Sequence, residues 1–216
     1  MTGCKAGAIG RNVYIVRRLV YVVRMTKDRI LSAARAVLES EGIDGLTIRR
    51  VAQRAELSPM ALYRHFADKD ALLNALMEDG LAAWEKMVRG IRARDSLEWL
   101  QAIGEAYLDF ALTQPHRFDA AFFLPAPAAR RFPDDFAAGR SPAIAMMMAR
   151  IDQGKAEGRL RDEPTLETAL AFAAFGQGLV SMHRAKRFGS EKQFKMLYRT
   201  AQRQFLDSLK PSAGSE

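Results

Sequence analysis

Residues Leu46 to Leu73 read LTIRRVAQRAELSPMALYRHFADKDALL. The stretch encodes two short amphipathic helices joined by a tight turn. Thr47 stands where an N-cap hydroxyl accepts an amide hydrogen bond at the start of the first helix. Val51, Ala52 and Ala55 follow as an apolar stripe, while Arg49, Arg50, Gln53 and Arg54 project elsewhere. Ser58 caps the second helix, and Pro59 takes its first position, where no amide hydrogen is needed. Leu57 and Leu62 are placed to pack inward against Val51, and Ala52 is small enough to let the helices approach closely. Two helices crossing at a short turn make a helix-turn-helix, a unit whose second helix lies in the DNA major groove.

Many helical hairpins share that apolar spacing. The string Leu62-Tyr63-Arg64-His65-Phe66, followed by Asp68-Lys69-Asp70 and Leu72-Leu73, is far more distinctive. With these residues the block resembles the DNA-binding domain of TetR-family transcriptional regulators, from residue 26 to about residue 80; beyond that the similarity is one of layout. The resemblance implies that Tyr63, His65 and Lys69 bind DNA phosphates. Each is a hydrogen-bond donor, and Lys69 opens a helix, where the N-terminus also attracts anions. The alternative for Tyr63 and His65 is that they only cap a small core. Motif matching sets Arg49, Pro59 and Met60 at base edges. A bidentate contact from Arg49 to guanine would discriminate by roughly 1–3 kcal/mol; a plain phosphate contact is the other reading. Pro59 and Met60 offer only apolar contact, as to a thymine methyl. Thr47, Arg50, Ser58 and Arg64 complete the implied DNA-binding set.

One residue departs from the family. Its members usually carry Gly in the turn between the two helices, where this chain has Glu56. A left-handed backbone at a non-Gly residue costs roughly 1–2 kcal/mol. A carboxylate there also repels phosphate unless Arg54 or Arg49 neutralises it. The expectation is tolerable strain without loss of function.

The chain has 216 residues, 49% of them hydrophobic, and a formal charge of +8. That is enough for one large domain or two smaller ones with a substantial core. The basicity is uneven. Residues 1–24 hold Lys5, Arg11, Arg17, Arg18 and Arg24 and no acid, whereas within 47–69 Arg49, Arg50, Arg54, Arg64 and Lys69 face only Glu56 and Asp68. The motif therefore keeps a local positive charge of its own.

The first 24 residues differ in character from the rest of the chain. Their apolar runs are interrupted by arginines and are shorter than the about 20 residues that span a bilayer. They lack the compact apolar core and small-residue cleavage site of a signal peptide. Met25-Thr26-Lys27-Asp28 looks like a family start, with Thr26 capping the first helix. Residues 1–24 are accordingly expected to be a basic extension from a translation start placed too far upstream. The functional alternative is a basic arm reaching into the minor groove or along the phosphates.

The remainder reads as helix throughout, which makes the fold class all-α. The resemblance implies that residues 25–80 form a three-helix, helix-turn-helix DNA-binding domain and residues 81–210 a helical effector-binding and dimerisation domain, with residues 211–216 a tail. Ile30, Leu31, Ala34, Val37 and Leu38 share one face of a helix that Gly42 ends. Asp68 caps the next helix. Asp95 with Glu98 caps one running to about Thr113, and a Phe-rich segment covers His116 to Leu124. Pro125, Pro127, Pro133 and Pro142 mark a loop region. Helices are expected over 142–157, 164–188 and 190–209.

Phe175, Leu179 and Met182 recur at helical spacing in the penultimate helix, and Phe194, Leu197, Tyr198, Ala201 and Phe205 in the last. Paired helices of this kind form the dimer interface in the resembled family, so these residues are expected at a homodimer interface; the other reading is that they face their own core. A dimer would set two recognition helices about 34–36 Å apart and call for a near-palindromic operator. The resemblance further implies a small-molecule effector. Its candidate lining is Phe110, Phe118, Phe122, Phe123, Phe136, Met146, Met147 and Phe172, with His116, Gln177 and His183 as polar anchors, which points to a hydrophobic compound.

Enzymatic chemistry has little support. His65, His116 and His183 are scattered without metal-ligand spacing, Cys4 is the lone cysteine, and no Gly-rich phosphate loop precedes a helix. No cofactor, metal or membrane association is expected, and a single cysteine fits the cytoplasm. Three function classes remain. The first is a repressor of transcription released from a double-stranded DNA operator by a small effector. The second is an effector-independent architectural or cell-division factor of the same fold. The third is a helical ligand-binding protein whose DNA binding has decayed, for which Glu56 is the only sequence support.

Overall fold

The computed structural model describes the backbone of residues 7–211 and the side chains of residues 26–211. Among these residues there are helices and no strand. The chain divides into two compact units. The first takes the residues up to Leu76 together with Leu124–Pro127, and the second takes Met77–Phe123 together with the residues from Ala128 onward.

The first unit is built on α1 (Gly7–Gly45), α2 (Ile48–Arg54), α3 (Pro59–Tyr63) and the start of α4 (Lys69–Gly90). Helix α1 packs on α2, and α2 on α3. Most side chains that the apolar pattern selects are buried: Ile30, Leu31, Ala34 and Val37 from α1, Val51 and Ala52 from α2, Leu62 from α3, and Leu72, Leu73 and Leu76 from α4, whereas Leu38 and Leu57 are only half-buried. The caps are local and strong. Thr47 accepts the Arg50 amide at 3.2 Å, Ser58 the Ala61 amide at 3.1 Å, and Asp68 the Ala71 amide at 2.7 Å. Each satisfies an amide that a helix start leaves without a partner.

The second unit is arranged around α5 (Ser96–Thr113), which packs against α6 (Pro115–Phe122), α8 (Pro142–Ala156), α9 (Thr165–Arg184) and α10 (Glu191–Ser208). Asp95 caps α5 by accepting the Glu98 amide at 2.9 Å, and Glu98 in return accepts the Arg94 amide at 2.8 Å. Helices α5 and α10 approach closely at Gly104, where any Cβ would lie 2.0 Å from the Gln202 amide nitrogen. That closeness lets Tyr198 donate to the Gly104 carbonyl at 3.0 Å and Gln202 to the Gln101 carbonyl at 2.8 Å. Arg199 and Glu105 close the same seam with a bidentate ion pair at 2.9 Å.

Three expectations need correction. Thr26 does not start a helix, because α1 is already helical from Gly7 and no free amide is left there to cap. The expected basic extension therefore enters α1, and Cys4 lies outside the described residues. The helix expected over 164–188 stops at Arg184, where Lys186 turns left-handed at φ 55 and the Arg187 amide returns to the Met182 carbonyl. The proline-rich segment is not all loop, since Asp134–Ala137 make one helical turn, α7. Gly42 does break the first helix, at φ 69, although helical backbone resumes as far as Gly45.

Candidate nucleic-acid interface

Helices α2 and α3 are short because each has a side-chain cap at one end and a turn at the other. Helix α2 ends in a Schellman turn. The Leu57 amide donates to the Ala52 carbonyl at 2.9 Å and the Glu56 amide to Gln53 at 3.2 Å, with Glu56 left-handed at φ 53 between them. The turn that usually takes Gly is thus formed here with Glu. No cation pairs with the Glu56 carboxylate among the described residues, so neither Arg49 nor Arg54 neutralises it.

The caps expose the polar and recognition residues together. Burying Val51, Ala52 and Leu62 turns Arg49 and Arg50 of α2, and Pro59, Met60, Tyr63 and Arg64 of α3 and its end, toward solvent. Met60 is 68% exposed and Tyr63 51% exposed. The two Arg residues are not equivalent. Arg50 pairs with Glu41 at 3.4 Å, while Arg49 has no carboxylate partner among the described residues. The hydroxyls of Thr47 and Ser58 accept backbone amides, which leaves the O–H of each free to donate to a phosphate. His65 and Lys69 are half-buried. The Lys69 ammonium donates to the Ile43 carbonyl at 3.2 Å, leaving two of its three N–H groups.

Most of the expected apolar effector residues lie in or against one hydrophobic core. Phe110, Phe118, Phe122 and Phe123 share a ring cluster, with Phe118 4.9 Å from Phe122 and 5.7 Å from Phe110. Gln177 reaches it by donating to the Phe122 carbonyl at 3.3 Å. His116 is on the same helix as Phe118, beside Asp119. Phe172, in the same core, lies 5.4 Å from Phe205, and His183 stacks on Phe194 at 4.2 Å. Met147 is buried in the core, and Phe136 and Met146 pack at its margin. The sequence reading missed Tyr107. Its ring lies 5.4 Å from Trp84, 4.9 Å from Phe118 and 5.1 Å from Phe122, and its buried hydroxyl has no hydrogen-bond partner among the described residues. Burial drives its pKa far upward, so the hydroxyl stays neutral. Tyr107 sits on α5 in register with Phe110, which was the available signal.

The expected dimer residues split into two sets. Phe194 and Tyr198 are 0% and 2% exposed and face the chain's own core, so they are withdrawn from any interface. Met182 (46% exposed) and Leu197 (43%) remain open, with Phe175, Leu179, Ala201 and Phe205 half-buried around them. Phe175 stacks on Phe205 at 5.6 Å, joining the outer faces of α9 and α10. Gly178 opens onto free space on this face.

Among the described residues, no group of three or more His, Cys, Asp or Glu side chains could hold a metal, and no helix is long and apolar enough to cross a membrane.

Comparison with known proteins agrees with the all-helical fold. The family described as bacterial regulatory proteins, tetR family, matches residues 30–76, and the tetracyclin repressor-like C-terminal domain matches residues 100–205. The chain is 25% identical over 100 residues to YobS, an uncharacterized HTH-type transcriptional regulator of Bacillus subtilis (strain 168), a match covering 46% of this chain and 52% of that protein. It is 39% identical over 61 residues to the class E tetracycline repressor protein of Escherichia coli, covering 28% of this chain and 29% of the repressor. The matched part thus spans about half the length of the first relative and less than a third of the second. A bacterial regulatory protein in the tetR family from Rhodococcus RHA1 has the same fold, with a TM-score of 0.66 at 19% identity over 87% of this chain and 98% of that one.

Proposed function

The chain belongs to the tetR family of bacterial regulatory proteins, and from that premise we propose that it is a cytoplasmic repressor of transcription. In this reading it binds a near-palindromic operator as a homodimer and leaves it when a small hydrophobic effector binds. One observation carries the DNA-binding half: Arg49, Met60 and Tyr63 stand exposed together on a capped helix pair, with the Thr47 and Ser58 hydroxyls free to donate beside them. Arg49 reads a base edge, Pro59 and Met60 make apolar contact, and Arg50, Tyr63, Arg64, His65 and Lys69 hold phosphates.

The exposed apolar face of α9 and α10 supports dimerisation, since Met182, Leu197 and the Phe175–Phe205 stack are poorly accounted for in an isolated chain. The unpartnered Tyr107 hydroxyl supports an effector. A buried donor without an acceptor is costly, and a ligand acceptor entering the ring cluster would satisfy it. Release requires the effector to prefer the DNA-incompetent state; moving the population from 1:99 to 99:1 takes about 5.5 kcal/mol of preference.

The test is fluorescence anisotropy of the full chain on short duplexes tiled across the DNA flanking its own gene, at two salt concentrations. Tight binding to one near-palindromic duplex, weakened by salt and by Tyr63→Phe, is the expected result. Equal, weak binding to every duplex there and in a genomic selection would sink the reading.

A further inference from the structure

The far end of α4 with the two residues after it, the first turn of α5 and the middle of α8 border an open surface pocket of about 330 Å³ that shares no ring with the Phe cluster. That volume lies at the lower end of the range for small-molecule sites. Its apolar wall is Val88, Ile91, Trp99 and Met146, and its polar rim is Arg89, Arg92, Arg150 and Gln153. No acidic residue lines it, and of its three guanidinium groups only Arg89 has a carboxylate partner among the described residues, Glu85 at 3.9 Å.

The state of each guanidinium matters more than the count. Arg150 lies over the Trp99 ring at 5.7 Å, within cation–π range, and its Nη1 donates to the Gln153 amide oxygen at 2.8 Å. Its Nε and Nη2 edge, the edge that takes a carboxylate with two parallel bonds, has no acceptor among the described residues. Arg92 is folded back over the end of α4, where its Nη1 donates to the carbonyls of Arg89 at 3.0 Å and Ile91 at 3.2 Å. Neither Arg92 nor Arg150 has a carboxylate partner among the described residues, and Arg89 meets Glu85 only at 3.9 Å. Two Arg side chains are therefore held in place by neutral acceptors and keep their charge for something else.

We propose that this pocket binds a small organic anion with a flat apolar body, an aromatic carboxylate in kind. The carboxylate would sit between Arg92 and Arg150, and the body would lie on Val88, Ile91 and Met146 beside the Trp99 edge. Apolar wall and cationic rim select jointly. An inorganic anion gains nothing from the wall, and a neutral aromatic leaves the guanidiniums as they were.

The probes are 1-naphthoate, 1-naphthamide and inorganic phosphate, titrated calorimetrically into the full chain without DNA. In parallel, the Trp99 indole N–H signal is followed by NMR, assigned with Trp84→Phe. Naphthoate should bind at one site per chain, shift the Trp99 signal and exceed naphthamide and phosphate by at least about ten-fold, since one bidentate charged contact is worth roughly 1.5–3 kcal/mol. Arg92→Gln with Arg150→Gln should abolish that preference while leaving both indole signals dispersed, which verifies the fold. Arg150→Lys should retain part of it. Naphthoate affinity unchanged in the double variant, an unmoved Trp99 signal, or phosphate binding as tightly as naphthoate would each overturn the proposal. DNA binding is not read at any step, so failure here is separable from failure of the repressor reading.

Discussion

The Leu57 amide donates to the Ala52 carbonyl at 2.9 Å, and the bond encloses a left-handed Glu56. The same pattern ends other helices of this chain: Arg159 returns to Gly154 around Gly158, and Arg140 to Asp135 around Gly139. Glycine occupies the left-handed position at those two ends, glutamate at this one. Glu56→Gly removes a Cβ penalty of roughly 1–2 kcal/mol and adds part of it back as glycine's chain entropy. The net expectation is a stabilisation of about 0.5–1 kcal/mol, read as a higher urea midpoint at unchanged slope. A lower midpoint would mean that the carboxylate has a compensating partner.

Arg49 and Tyr63 should fail differently. Arg49→Ala removes the unpaired guanidinium of α2 and should relax preference at one base position, by roughly 1–3 kcal/mol for the favoured base. Tyr63→Phe removes only a hydroxyl and should weaken all operator variants alike. Competition binding on single-position operator variants distinguishes them, and equal loss across every variant for Arg49→Ala would remove its base-reading role.

Leu197→Glu adds a charge to the exposed face of α9 and α10 without touching the core. Sedimentation should then report a monomer with native helix content and much weaker operator binding. Phe194→Ala, by contrast, empties a fully buried site and should cost about 3–5 kcal/mol of stability. A Leu197→Glu chain that stays dimeric would relocate the interface.

Tyr107→Phe keeps the ring contacts and deletes the unpartnered hydroxyl. The free protein should gain up to about 1 kcal/mol, while effector affinity falls. A loss of stability on thermal unfolding would show that the hydroxyl has a partner in solution, such as a bound water.

His183 supplies a pH signature. Burial against Phe194 lowers its pKa below the ordinary 6.5, Arg184 lowers it further, and Glu191 partly opposes both. The folded value is the depressed one, so the unfolded chain takes up this proton first as pH falls. The contribution is full above pH 6.5 and is lost as pH falls through the folded value. His183→Phe keeps the stack and should flatten that part of the stability profile, measured by urea unfolding between about pH 7.5 and 5 in steps on the order of half a unit.

What the sequence determined by itself is local. Thr47, Ser58, Asp68, Asp95 and Ser190 each precede a helix and cap it, because a cap hydrogen bond spans three residues and needs nothing from the rest of the chain. The exposed faces of α2 and α3 were legible for the same reason: in helices of five and seven residues, burying Val51 and Leu62 decides where every other side chain points. Tertiary structure decided the rest. Helical periodicity marks the stripe on α10 but not what covers it; packing against His183 of α9 and Phe188 turned Phe194 inward, the seam with α5 did the same for Tyr198, and Leu197 was left outside. The Tyr107 hydroxyl lost its partner, and Trp99, Arg92 and Arg150 met around one pocket, through the packing of helices distant in the chain. No spacing within a single helix encodes such a meeting.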